Sequence, residues 1–133
     1  MNRFHVNVLS IRQHERLHRV EFAFGEVSLR MVALALPQNL KEGVRVTVAV
    51  KPTHVMFTKI LHETISTANR VPASVAKIER GEILSSVHFH VADTMAESIV
   101  SSSVVEEMAL KEGDEVVLFF GEGTLFVSEV EDA

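Results

Sequence analysis

The sequence has no cysteine, no tryptophan and no tyrosine, and only three prolines and six glycines among 133 residues. Without cysteine there are no disulfides, thiol nucleophiles or thiolate metal ligands, so histidine, serine and the carboxylates are the side chains left for chemistry. Without Trp or Tyr, any stacking surface for single-stranded nucleic acid would rest on the eight Phe, which sit mostly at apolar strand positions where a core role is simpler. No apolar run approaches the roughly 20 residues of a membrane span. The opening MNRFHVNV is not a basic segment followed by an apolar stretch and a cleavage site. The expectation is a cytoplasmic protein with neither membrane nor nucleic-acid partner.

Positive charge is also scarce. Thirteen Lys and Arg against eighteen Asp and Glu give 13 − 18 = −5. The cations are interleaved with acids, as in Lys41-Glu42 and Lys111-Glu112-Gly113-Asp114-Glu115, whereas a polyanion needs clustered ones. A small anion is different, because a few aimed donors can hold it whatever the net charge.

What the chain does contain is a repeat. A shift of 67 lays Asn2-Arg3 on Asn69-Arg70, Val8 on Val75, Ile11 on Ile78, Leu17 on Leu84, Val20 on Val87 and Phe22 on Phe89. Beyond Leu36 the shift becomes 70, and Leu40-Lys41-Glu42-Gly43 falls on the identical Leu110-Lys111-Glu112-Gly113, with Val46 on Val116. Two homologous units follow, residues 1–60 and 66–133, with 61–65 as connector.

Each unit reads as five short strands. In the first these are Phe4 to Ile11, Leu17 to Phe24, Val27 to Leu36, Val44 to Val50 and Val55 to Phe57. Val44, Val46, Val48 and Val50 alternate with Arg45, Thr47 and Ala49 as a half-buried strand should. In the second they are Arg70 to Ile78, Ile83 to Val91, Ala96 to Ser101, Glu115 to Phe120 and Thr124 to Val130. Ser103 with Glu106 three residues on is a capping-box pattern, which places a short helix over 103–110. The predicted fold is all-β: two tandem small OB-like Greek-key β-barrels, with a short helix in the second.

Three other patterns suggest chemistry. His14-Glu15-Arg16-Leu17-His18 matches the zinc-protease H-E-x-x-H, but that motif works on a helix. In a strand its two histidines stand roughly 13 Å apart. His88 and His90 share a strand face and are the weak metal candidates; a solvated sheet face is the simpler reading. Ser101-Ser102-Ser103 has no histidine and acid placed with it, so turn and capping roles are expected and no catalytic residue is assigned.

The junction carries the most specific signal. Ser66-Thr67-Ala68-Asn69 precedes a strand, Leu110-Lys111-Glu112-Gly113-Asp114-Glu115-Val116 leads into one, and Lys51-Pro52-Thr53 closes one. In this order the pieces resemble the molybdate-binding Mop domains, the molbindins, and the related TOBE domains, as two tandem copies. The resemblance implies a non-enzymatic protein that holds molybdate or tungstate at interfaces between neighbouring domains, for storage, homeostasis or sensing. It also implies a homo-oligomer, with a trimer favoured. The implied oxyanion-binding residues are Lys51, Thr53, Ser66, Thr67, Ala68, Asn69 and Arg70, with Asn2 and Arg3 as a possible second site. A tetrahedral dianion suits hydroxyl, amide, ammonium and backbone N–H donors, and carboxylates would repel it.

The departures from the family pattern are informative. Gly121 and Gly123 stand where Lys51 and Thr53 stand in the first unit, and Asn2 has no serine before it. Ala68 replaces the family's usual arginine and Ala73 its usual glycine. Each unit thus keeps half a site. The alternative expectation is a TOBE-like oligomerisation or interaction module that has lost its ligand.

Overall fold

A computed structural model describes residues 1–60 and 64–131; positions 61–63 of the expected connector lie outside the described residues. The first half forms β1 (Asn2–His14), β2 (Leu17–Phe24), β3 (Val27–Ala33), β4 (Arg45–Val50), a 3-10 turn (Pro52–His54) and β5 (Met56–Thr58). The second forms β6 (Asn69–Glu79), β7 (Leu84–Val91), β8 (Thr94–Ser101), α1 (Ser102–Glu107), β9 (Glu115–Phe120) and β10 (Phe126–Val130). All strand pairs are antiparallel.

The alternation in the sequence is what builds these strands. Phe4, Val6 and Val8 of β1 are buried while Arg3, His5 and Asn7 are exposed, so one face joins the core and the other meets water. The register of β1 shifts between Val8 and Ser10, and that of β6 between Val75 and Lys77, 67 residues on. An extra residue there bends the strand; β4 or β9 pairs only with the part before the bulge, whereas β2 or β7 pairs on both sides of it. The turns before β4 and β9 also match. Gly43 at φ 85° donates to the Val8 carbonyl at 2.8 Å, and Gly113 at φ 89° to the Val75 carbonyl at 2.8 Å. Only glycine adopts that conformation without steric cost.

The fifth strands depart from the sequence reading, which kept each with its own unit. The sheets run β10-β4-β1-β2-β3 and β5-β9-β6-β7-β8, so each half lends its last strand to the other's sheet. The Pro52 turn redirects the chain. Val55 is then buried with its carbonyl bonded to Ser98 Oγ at 2.5 Å, and Phe57 sets its edge on Phe89 at 5.1 Å. Phe4 stacks on Phe120 at 6.4 Å, so the apolar core is continuous across both sheets.

The short helix is present, but a different residue opens it. Its cap is Ser101, which makes no side-chain capping bond. Ser102 Oγ instead donates to the Gly81 carbonyl at 2.7 Å and shares a 2.8 Å bond with Ser85 Oγ. These tie the helix start to the β6–β7 turn, while Val105 is buried beneath it. Among the described residues no helix is long and apolar enough to cross a membrane.

Candidate oxyanion site

The segment leading into β6 is held rigidly from within. Thr67 Oγ1 donates to the Phe120 carbonyl at 2.7 Å and accepts from the Asn69 N–H at 3.1 Å, a side-chain turn spanning two residues. The Arg70 guanidinium reaches back to the Thr67 carbonyl through Nε and to the Ile65 carbonyl through Nη2, both at 3.1 Å. Asn69 is fully buried; its Nδ2 donates to the Arg30 carbonyl at 2.9 Å and its Oδ1 accepts from the Arg30 N–H at 2.7 Å. These three polar side chains therefore shape the loop.

What the loop leaves open is Ser66 and its own backbone. Ser66 is exposed at the rim of a cleft of ≈ 410 Å³, with Thr67, Met56, Phe119 and Gly121 in its walls. Among the described residues, the N–H groups of Ser66, Thr67 and Ala68 donate to no protein acceptor. Successive free N–H groups beside a hydroxyl are a suitable surface for an anion. The side of this cleft formed by the end of β9 is Gly121, which contributes no charge.

Lys51 and Thr53 lie elsewhere. Both are exposed, and the pairing of Val50 with Asn2 sets them beside the start of β1, not among the residues that line the Ser66 cleft. Asn2 repeats the role of Asn69. Buried, it donates to the Glu97 carbonyl at 2.8 Å and accepts from the Glu97 N–H at 2.7 Å. Arg3 projects the other way, into a cleft with His5, Arg45 and Asp93. Within one chain, then, Ser66 meets the strand end at Gly121, and Lys51 meets the strand start at Asn2.

The other candidates have structural partners. His88 Nε2 lies 3.7 Å from both Glu79 and Glu97 and 3.2 Å from Ser86 Oγ, while His90 is exposed, opposite Met95 and Ser74 in the strand register. Among the described residues no group of three or more His, Asp or Glu is arranged to hold a metal ion. His14 pairs with Leu17 and His18 with Gln13, so the two histidines of the H-E-x-x-H pattern project from opposite faces of a hairpin. The loop-building roles of Asn69 and Arg70 escaped sequence reasoning, although the survival of asparagine at both 2 and 69 is a signal of shared architecture.

Comparison with known proteins bears on this junction directly. Residues 65–123 match the TOBE domain. That TOBE segment runs from the loop through β9 to the strand end facing Ser66. A solved structure of the cytoplasmic molybdate-binding protein ModG, from a PEG-grown crystal form with molybdate bound, is similar over 95% of this chain and 94% of its own. Its TM-score is 0.88 at 22% sequence identity, which establishes a common fold through both sheets. No curated protein matches the sequence.

Proposed function

We propose that this protein binds molybdate or tungstate in the cytoplasm, as a store, buffer or sensor and not as an enzyme. The observation that carries the reading is the likeness, over nearly the whole chain, to ModG in a molybdate-bound form. On this reading residues 1–60 and 66–133 are two Mop-type units, each an OB-like barrel completed by the other's last strand. The anion sits on the free N–H groups of residues 66–68 and the Ser66 hydroxyl, with Thr67, Asn69 and Arg70 holding the loop. Lys51 and Thr53 reach it from a neighbouring copy, because in the same chain Gly121 occupies their place. The assembly is a homo-oligomer, with a trimer as the specific proposal, and Asn2 and Arg3 mark a degenerate second site.

Calorimetric titration with molybdate, tungstate and sulfate tests this. Tight saturable heat is expected from the first two, and from sulfate only weak heat that Lys51→Ala leaves unchanged. Lys51→Ala should weaken binding by about 1.5–3 kcal/mol, the worth of a hydrogen bond to a charged group, and leave the fold intact. No heat from any of the three would favour the interaction module without ligand, and undiminished affinity in Lys51→Ala would remove that lysine from the site.

A further inference from the structure

The outer face of the first sheet carries a charge arrangement that the oxyanion loop does not use. Strand register sets Arg12 directly opposite Arg19, and Arg19 opposite Val32, in one row across β1, β2 and β3. The next row pairs His14 with Leu17. These five side chains line a cleft of ≈ 220 Å³, with the two guanidiniums and the imidazole as its polar groups and Leu17 and Val32 as apolar walls. Like charges placed directly opposite on an antiparallel pair repel each other, and a sequence under no other demand would separate them.

Among the described residues, the side chains of Arg12, Arg19 and His14 have no hydrogen-bond or ion-pair partner to relieve that repulsion. Glu21, in the adjacent row, is committed to Arg30 at 3.4 Å, Ser28 at 3.3 Å and Ser10 at 3.4 Å. Glu15, at the hairpin turn, makes no ion pair with either arginine. The second sheet shows the contrast. The positions 67 residues on are Glu79, Ser86 and Gly81, and there Glu79 pairs with Lys77 at 2.9 Å. The cation row is therefore particular to the first half and does not follow from the shared plan of the sheets.

We propose that Arg12, Arg19 and His14 form an accessory anion site that takes a small doubly charged oxyanion of the phosphate class. An oxyanion between two guanidiniums converts their repulsion into charge-assisted, fork-shaped hydrogen bonding, and His14 adds a third donor from the neighbouring row. The ligand is small because the cleft holds only ≈ 220 Å³ and Glu21 closes one end of the cation row. An extended polyanion leaving by that end would meet the Glu21 carboxylate, with which Arg30 is already paired at 3.4 Å.

The test is a titration of the full-length, ¹⁵N-labelled protein with inorganic phosphate at constant ionic strength, with sulfate and chloride in parallel. Phosphate and sulfate should give saturable amide shifts centred on residues 12–19 and 32, and chloride should not. Arg12→Gln and Arg19→Gln should each weaken phosphate binding at least tenfold while preserving the dispersed spectrum. Arg19→Lys, which keeps the charge and loses the fork, should fall between. Lys51→Ala should leave the shifts unchanged, which separates this site from the one proposed above. Equal shifts from chloride, shifts centred elsewhere, or undiminished binding in the Arg12→Gln/Arg19→Gln double variant would overturn the proposal.

Discussion

Asn2 and Asn69 show how a residue's chemistry can be right and its role different. An amide that can donate and accept is what a tetrahedral oxyanion site recruits, and it is equally what an edge strand needs to satisfy one N–H and one C=O together. Both asparagines do the second task, at Glu97 and at Arg30. Asn69→Ala should therefore act first on stability. Leaving the Arg30 backbone groups without partners in a half-buried setting should cost on the order of 2–4 kcal/mol in chemical denaturation. A loss under about 1 kcal/mol would mean that water replaces the amide at no large cost. Asn69→Asp keeps the acceptor but sets a buried carboxylate against the Arg30 carbonyl, and should cost at least as much as alanine at neutral pH.

Among the elements, the two Lys-Glu-Gly turns were the most legible, since a four-residue identity with glycine at its end predicts one backbone geometry in both places. The next residue separates them. In the second turn Asp114 accepts from the Lys111 N–H at 3.0 Å and pairs with Lys59 at 3.3 Å, where the first turn has Val44. The Lys111 N–H, and then the Lys59 ammonium, hold the Asp114 carboxyl below its ordinary value. A carboxyl whose titration is depressed by folding stabilises the fold above its unfolded pKa and loses that contribution as pH falls through the folded one. Asp114→Asn should therefore flatten the fall in thermal midpoint below about pH 4. A variant that keeps the parent's acid limb unchanged would show that this turn is not what titrates.

For the whole molecule, the exchange of β5 and β10 matters most. Each sheet has four strands from one half and a fifth from the other, and the Phe4–Phe120 and Phe57–Phe89 contacts carry the core across the boundary. Units this small bury too little apolar surface to be robust alone, and each without its borrowed strand leaves β4 or β9 as an open edge. Polypeptides 1–60 and 64–133, expressed separately, should be unfolded or aggregated. Mixed during refolding, they should recover the circular dichroism and cooperative thermal transition of the intact chain. If either half folds as a soluble monomer by itself, the exchanged strands are not what completes the sheets.

Sequence alone determined the strand positions, the repeat and its change of shift from 67 to 70, the presence of one short helix, and the exclusion of thiol chemistry. Those are local properties, written in alternation, turn residues and composition. Sequence could not decide which sheet receives a fifth strand, because main-chain hydrogen bonds are the same in either and the apolar side of β5 or β10 suits both. Nor could it place Lys51 away from Ser66 or commit the asparagine amides to backbone. Those outcomes depend on pairings between residues far apart in the chain, which exist only once the two halves have folded around each other.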